Sequence, residues 1–156
     1  RYDFLSMIEV LRIKMREVLR EDMGGVYGVR IQGNMSRFPK ESFRISIGFG
    51  CDPERVDELT SAVKEQIQLI MEEGTTEKYL HKVKETQRRK HEINLENNRY
   101  WMNIMEFAVK HDLDMDIVNS YDELINNLTL EIIHETVNQY FSTDNVIQVT
   151  LYPEQN

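Results

Sequence analysis

The sequence predicts an α+β domain, a mixed α/β two-layer fold. A sheet of two early antiparallel strands and one late strand is expected, packed by several helices. Three observations predict it. Apolar residues recur at helical spacing from Phe4 through Leu19. Apolar and polar residues alternate strictly from Ser42 to Gly50. A β-branched run over 146–152 follows a long helical stretch. No linker or repeat divides the chain, so 1–156 reads as a single domain.

In the first helix Phe4, Leu5, Ile8, Leu11, Met15, Val18 and Leu19 share a face, and Gly24-Gly25 stop it. Glu21 and Asp22 sit at its C-terminal end, where the macrodipole favours cations instead. The first strand spans 26–33, with Tyr27, Val29 and Ile31 on one face. The second puts Phe43, Ile45, Ile47 and Phe49 on one side and Arg44, Ser46, Gly48 and Gly50 on the other. Segment 34–41, with Pro39, is the connecting loop, and Gly48 and Gly50 leave room for another backbone or a ligand. Asp52-Pro53-Glu54 starts a helix carrying Val56, Leu59, Val63, Ile67 and Ile70, which Gly74 ends. Thr75 or Thr76 caps a mostly charged helix towards Asn97, and another covers 99–110. Ser120 and Glu123 form a capping box. Thr129 caps a helix that buries Leu130, Ile133, Val137, Tyr140 and Phe141. A turn at 142–145 leads to the late strand.

Composition removes several function classes. Hydrophobic residues make up 40% of the 156 and charged residues 29%, a globular balance that excludes wholesale disorder. Lys and Arg number 19 against 27 Asp and Glu, a formal net charge of −8. That charge argues against a nucleic-acid or anionic-membrane module, both of which need a basic footprint. No apolar run approaches the roughly 20 residues that span a bilayer. The single cysteine, Cys51, excludes an internal disulfide framework and multi-cysteine zinc sites.

No constellation supplies a metal site or a nucleophile. The histidines are His81, His91, His111 and His134. His134-Glu135 opens like H-E-x-x-H, but position 138 is Asn138, so the second ligand is absent. His81 and Glu85 lie one helical turn apart, and a solvated pair is the simpler reading. Cys51 lies between a strand and a helix start with no histidine nearby in sequence, and reads as structural. Arg88-Arg89-Lys90 is flanked by Glu85 and Glu92 and reads as solvated surface, and Tyr100-Trp101-Met102 as packing. The remaining cluster runs from Arg20 to Tyr27, where a helix ends, two glycines turn the chain and a strand begins. A guanidinium and a phenol there would clamp a carbonyl or carboxylate; equally, Arg20 would pair with a local acid while Tyr27 packs.

This cluster, Leu19-Arg20-Glu21 followed by Gly25 and Tyr27, resembles the signature of the pitrilysin/insulinase-type zinc metallopeptidases, the inverzincins. The resemblance extends along the chain. It takes in the strand from Phe43 to Phe49 running into Cys51-Asp52-Pro53-Glu54-Arg55, then Gly74-Thr75-Thr76-Glu77, Tyr100-Trp101, and Val149-Thr150-Leu151-Tyr152-Pro153. It implies a non-catalytic C-terminal metallopeptidase-homology domain, N-terminally truncated, of a larger multidomain bacterial enzyme. It implies no zinc here and zinc in another domain of the full-length protein. The implied partners are a peptide substrate and the zinc-carrying half of the same protein, with Arg20 and Tyr27 holding the peptide and the fragment alone inactive. A fragment lacking strands would also pair with a second copy. The same resemblance admits a scaffold or core subunit with this fold and no peptidase activity. The compartment stays open between bacterial periplasm and cytoplasm.

Overall fold

Helix α1 (Tyr2–Arg16) is the element around which the others gather in the computed structural model, which describes residues 1–141 and 145–154. Phe4, Met7, Ile8, Val10, Leu11 and Met15 are all buried. The helix does not stop at its last α-helical residue. It widens into a π turn, Glu17–Asp22, that buries Leu19. Gly24, with φ +57°, then reverses the chain.

Strands β1 (Gly28–Ser36) and β2 (Ser42–Gly50) pair antiparallel, with Gly28 opposite Gly50 and Ser36 opposite Ser42. The ladder outruns the expected first strand, which shortens the loop to 37–41. One sheet face packs on α1 through Ile31, and Arg12 donates from Nη2 to Ile31 O at 3.0 Å. At Gly33 a Cβ would lie 2.6 Å from Ile8 Cγ1 and 2.7 Å from Phe4 Cε1, so close packing there requires glycine. On the open face Arg30 stands opposite Gly48, Gln32 opposite Ser46 and Asn34 opposite Arg44, all exposed.

A 3-10 turn, Pro53–Arg55, leads into α2 (Val56–Glu73), followed by α3 (Glu77–Leu95) and α4 (Asn98–His111). A second 3-10 turn, Met115–Val118, precedes α5 (Tyr121–Asn127) and α6 (Leu130–Phe141). Leu59, Val63 and Ile70 of α2, Leu80 and Val83 of α3, and Ile133 and Val137 of α6 join α1 in one core. The charged helix α3 thus has a real buried stripe. Its Gln87 is buried as well, accepting from Tyr2 Oη at 2.5 Å and donating to Ser6 Oγ at 2.7 Å.

The α+β class holds, but the sheet has two strands among the described residues, not three. Segment 146–152 carries no strand. Val146, Ile147, Val149 and Leu151 are exposed, and Gln148 accepts from Lys64 Nζ of α2 at 3.1 Å. β-branched composition favours an extended chain, but a strand also needs a ladder partner, and neither β1 nor β2 pairs with it. Of the turn expected at 142–145, residues 142–144 lie outside the described residues. The Ser120 capping box does not form either. Ser120 stands at the N-cap position but makes no side-chain cap bond, and its Oγ donates instead to Ile117 O at 3.0 Å. Thr129 does cap α6, accepting from Ile132 N at 3.2 Å, and Asn97 caps α4, accepting from Arg99 N at 2.9 Å.

Candidate functional site

The π turn places Arg20 on the surface, three residues after Glu17 and five before Gly25. Its ends close through Met23 N to Val18 O at 3.0 Å and Gly25 N to Leu19 O at 3.1 Å. π turns commonly occur at functional positions, because the extra residue re-aims the side chains around it. After Gly25 the chain enters the sheet, and Tyr27 N bonds Gly50 O at 3.1 Å. Tyr27 is 83% exposed. A Cβ at position 50 would lie 3.9 Å from Tyr27 Cδ2, so the ring lies beside the end of β2 on the open face of the sheet. At Gly28 and Gly48 a Cβ would meet nothing within 4 Å, so that face is uncovered beside the phenol. Among the described residues, the side chains of Arg20 and Tyr27 have no hydrogen-bond or ion-pair partner. The local pairing and packing open to them on sequence alone are therefore not what the fold adopts.

Two braces hold the turn between them. Glu17, at the start of the π turn, accepts from Tyr79 Oη at 2.8 Å and from Lys82 Nζ, with Lys78 Nζ at 3.8 Å. These donors hold the Glu17 carboxyl below the usual carboxylate range, Lys82 foremost and then Tyr79. Burial, reinforced by its bond to Glu17, pushes the Tyr79 phenol up to about 12. On the other side Arg55 donates to Met23 O from Nη1 and Nη2, both at 3.3 Å. The same guanidinium grips Glu58, Nε to Oε2 at 2.9 Å and Nη2 to Oε1 at 2.8 Å. On sequence Arg55 stands out only as the end of the Cys51–Arg55 stretch that carries the family resemblance, and Glu17 does not stand out at all. The local signal was Arg55 and Glu58 at i and i+3, a pairing that does not reveal the Met23 carbonyl 32 residues away.

The other candidates go to structural or surface positions. His134 Nε2 lies 2.7 Å from Met71 O, and Asn138 Nδ2 donates to the same oxygen at 3.1 Å. The broken H-E-x-x-H is thus a cap on the last turn of α2, where carbonyls lack helical partners. His81 and Glu85 are exposed, and Glu85 meets Arg88 at 3.4 Å. Cys51 is half-buried against the core. Arg88 bonds Asn126 Oδ1 at 2.9 Å and Lys90 pairs with Glu9 at 3.2 Å, so the basic run is partly engaged with its neighbours. Tyr100 Oη lies 3.3 Å from His91 Nδ1, and Trp101 Nε1 donates to Leu95 O at 2.8 Å. Met102, in contrast, is 65% exposed. Among the described residues no three His, Cys, Asp or Glu side chains gather into a set that could hold a metal ion. No described helix is long and apolar enough to cross a membrane.

Residues 10–87 match the peptidase M16 inactive domain, a segment that runs from α1 through the turn, both strands and α2 into α3. The chain belongs to the peptidase M16 inactive domain family. Two curated relatives agree. A zinc protease PQQL-like protein of Arabidopsis thaliana is 29% identical over 99 residues, 60% of this chain and 10% of its own. A probable zinc protease PqqL of Haemophilus influenzae is 32% identical over 82 residues, 53% of this chain and 9% of its own. The chain thus spans about a tenth of the length of the curated relatives it matches. The fold is similar to that of the periplasmic protease PqqL from Escherichia coli, with TM-score 0.73 and 24% identity over 91% of this chain and 16% of that one. It is also similar to the peptidase M16 inactive domain from Pseudomonas fluorescens, with TM-score 0.69 and 14% identity over 86% of this chain and 34% of that one. This M16 domain is a non-catalytic domain of a peptidase family.

Proposed function

We propose that this M16 domain is the substrate clamp of a zinc-dependent metalloendopeptidase, in which Arg20 and Tyr27 hold the peptide backbone near a zinc ion carried by another domain. One observation carries the reading: an arginine and a tyrosine, without a side-chain partner among the described residues, reach solvent from the two sides of a single braced turn. A guanidinium offers charge-assisted hydrogen bonds to a peptide carbonyl, and a phenol adds a neutral one. The uncovered sheet face beside Tyr27 leaves room for an extended chain to approach. The zinc, when bound in its own domain, would polarise the scissile carbonyl and lower the pKa of the attacking water. Arg20 and Tyr27 would orient that carbonyl, and stabilise charge as it develops on the oxygen.

The test uses the full-length protein with its zinc. Each hydrogen bond to a charged group is worth roughly 1.5–3 kcal/mol. Arg20→Ala and Tyr27→Phe are therefore each expected to lower kcat/KM by about ten- to a hundred-fold while zinc content is unchanged. Wild-type turnover in both variants would remove the pair from the site.

A further inference from the structure

We infer that Arg55, oriented by Glu58, is a positioning residue that sets the geometry of Arg20 and Tyr27; the inference rests on the clamp reading above. Met23 lies three residues after Arg20 and four before Tyr27, and its carbonyl accepts both Arg55 amino groups at 3.3 Å. Besides this grip, the backbone bonds from Met23 N to Val18 O and from Gly25 N to Leu19 O hold the turn. Gly24 has no side chain, and a Cβ built on it would meet no atom within 4 Å. Gly25 is buried, and a Cβ there would lie 2.9 Å from Arg55 Nη1 and 2.7 Å from Leu59 Cδ2. The guanidinium therefore lies flush against the backbone of the turn. Its bidentate grip on Glu58 fixes the plane of the fork, so the direction of the two donors to Met23 is fixed as well.

Arg55 is placed to tune geometry more than to hold the fold together. Its side chain is 30% exposed, whereas Leu19 and Leu59 are fully buried. Losing the fork frees the Met23 carbonyl and lets the turn shift, which moves both Arg20 and Tyr27. A displacement of about 1 Å in groups that orient a substrate can cost on the order of a hundredfold in rate. Lysine keeps the charge, but its point-like ammonium cannot hold Glu58 and Met23 O in one plane.

The experiment is a double-mutant cycle in the full-length zinc-loaded protein with a model peptide substrate. Arg55→Lys is expected to lower kcat/KM by about tenfold, at wild-type zinc content and with Tm little changed. In an Arg20→Ala Tyr27→Phe background the same substitution is expected to cost less than about twofold, since its effect passes through that pair. A full additional loss in that background would mark a general structural role and overturn the inference. Normal turnover of Arg55→Lys, with Arg20→Ala and Tyr27→Phe impaired, would overturn the inference and leave the clamp standing. Normal turnover in Arg20→Ala and Tyr27→Phe would overturn the clamp itself. Hydrogen exchange gives an answer without activity. The amides of Gly25 and Tyr27 are expected to exchange faster in Arg55→Lys while those of α6 do not, and unchanged rates at both would refute the brace.

Discussion

Replacing Gly25 with alanine isolates the packing of the turn in a single methyl group. The added carbon would lie 2.7 Å from Leu59 Cδ2, 2.9 Å from Arg55 Nη1 and 3.1 Å from Arg55 Cζ. Leu59 is fully buried and Arg55 is pinned by Glu58 and Met23 O, so neither can yield without loss elsewhere. Forcing a methyl into such a site costs about 1–3 kcal/mol. For a chain of this size each kcal/mol lowers Tm by roughly 2–4 °C, so a fall of about 2–12 °C is expected. Gly48→Ala is the matched control, because its methyl would meet nothing within 4 Å and no positive φ opposes it. It should change stability by no more than about 0.5 kcal/mol. Paired urea and thermal melts of the two variants measure the difference. Equal stability would refute the close packing of Arg55 and Leu59 on the turn.

Three further outcomes are expected. The Glu17 carboxyl titrates below its ordinary value near 4.5, so its contribution is present above that value and is lost as pH falls through the lower folded one; Glu17→Gln should flatten that acid-side decline in a pH series of melts. Tyr79 is raised from 10 to about 12, so stability should fall between those values as pH rises, and Tyr79→Phe should reduce that alkaline loss, Tyr2 being raised to about 12 as well. His134→Ala should destabilise by about 0.5–1.5 kcal/mol in denaturant melts, since Asn138 still serves Met71 O, and a larger cost is expected when both are replaced.

Much of the fold was legible because it is written in short-range pattern. The period of two in Ser42–Gly50 assigns which side chains face α1, and the ladder follows it. The helical stripe from Phe4 to Leu19 names Phe4, Ile8, Leu11, Met15 and Leu19 of the core, but it includes Leu5, which is exposed, and omits Met7 and Val10, which are buried. Segment 146–152 shows where pattern stops. Its β-branched residues describe a chain ready to be a strand, but pairing depends on an available edge, and none pairs with it among the described residues. The site divides in the same way. Arg20, Gly25 and Tyr27 could be picked out because their spacing is local. Arg55 and Glu17 could not, because their partners lie 32 and 62 residues away.

By itself, the sequence determined an α+β chain of the peptidase M16 type, with no complete metal-ligand motif and an arginine–tyrosine pair around a diglycine turn. Its periodicity, spacing and residue chemistry are properties of neighbouring residues, so they survive without coordinates. Only the tertiary structure decided that the pair stands at the surface without a partner among the described residues, and that the turn is gripped from the 3-10 turn ahead of α2 and from α3. Only there does His134 become a cap for α2. Those contacts form when distant segments close on one another, and their geometry depends on packing of the whole core, which no local pattern encodes.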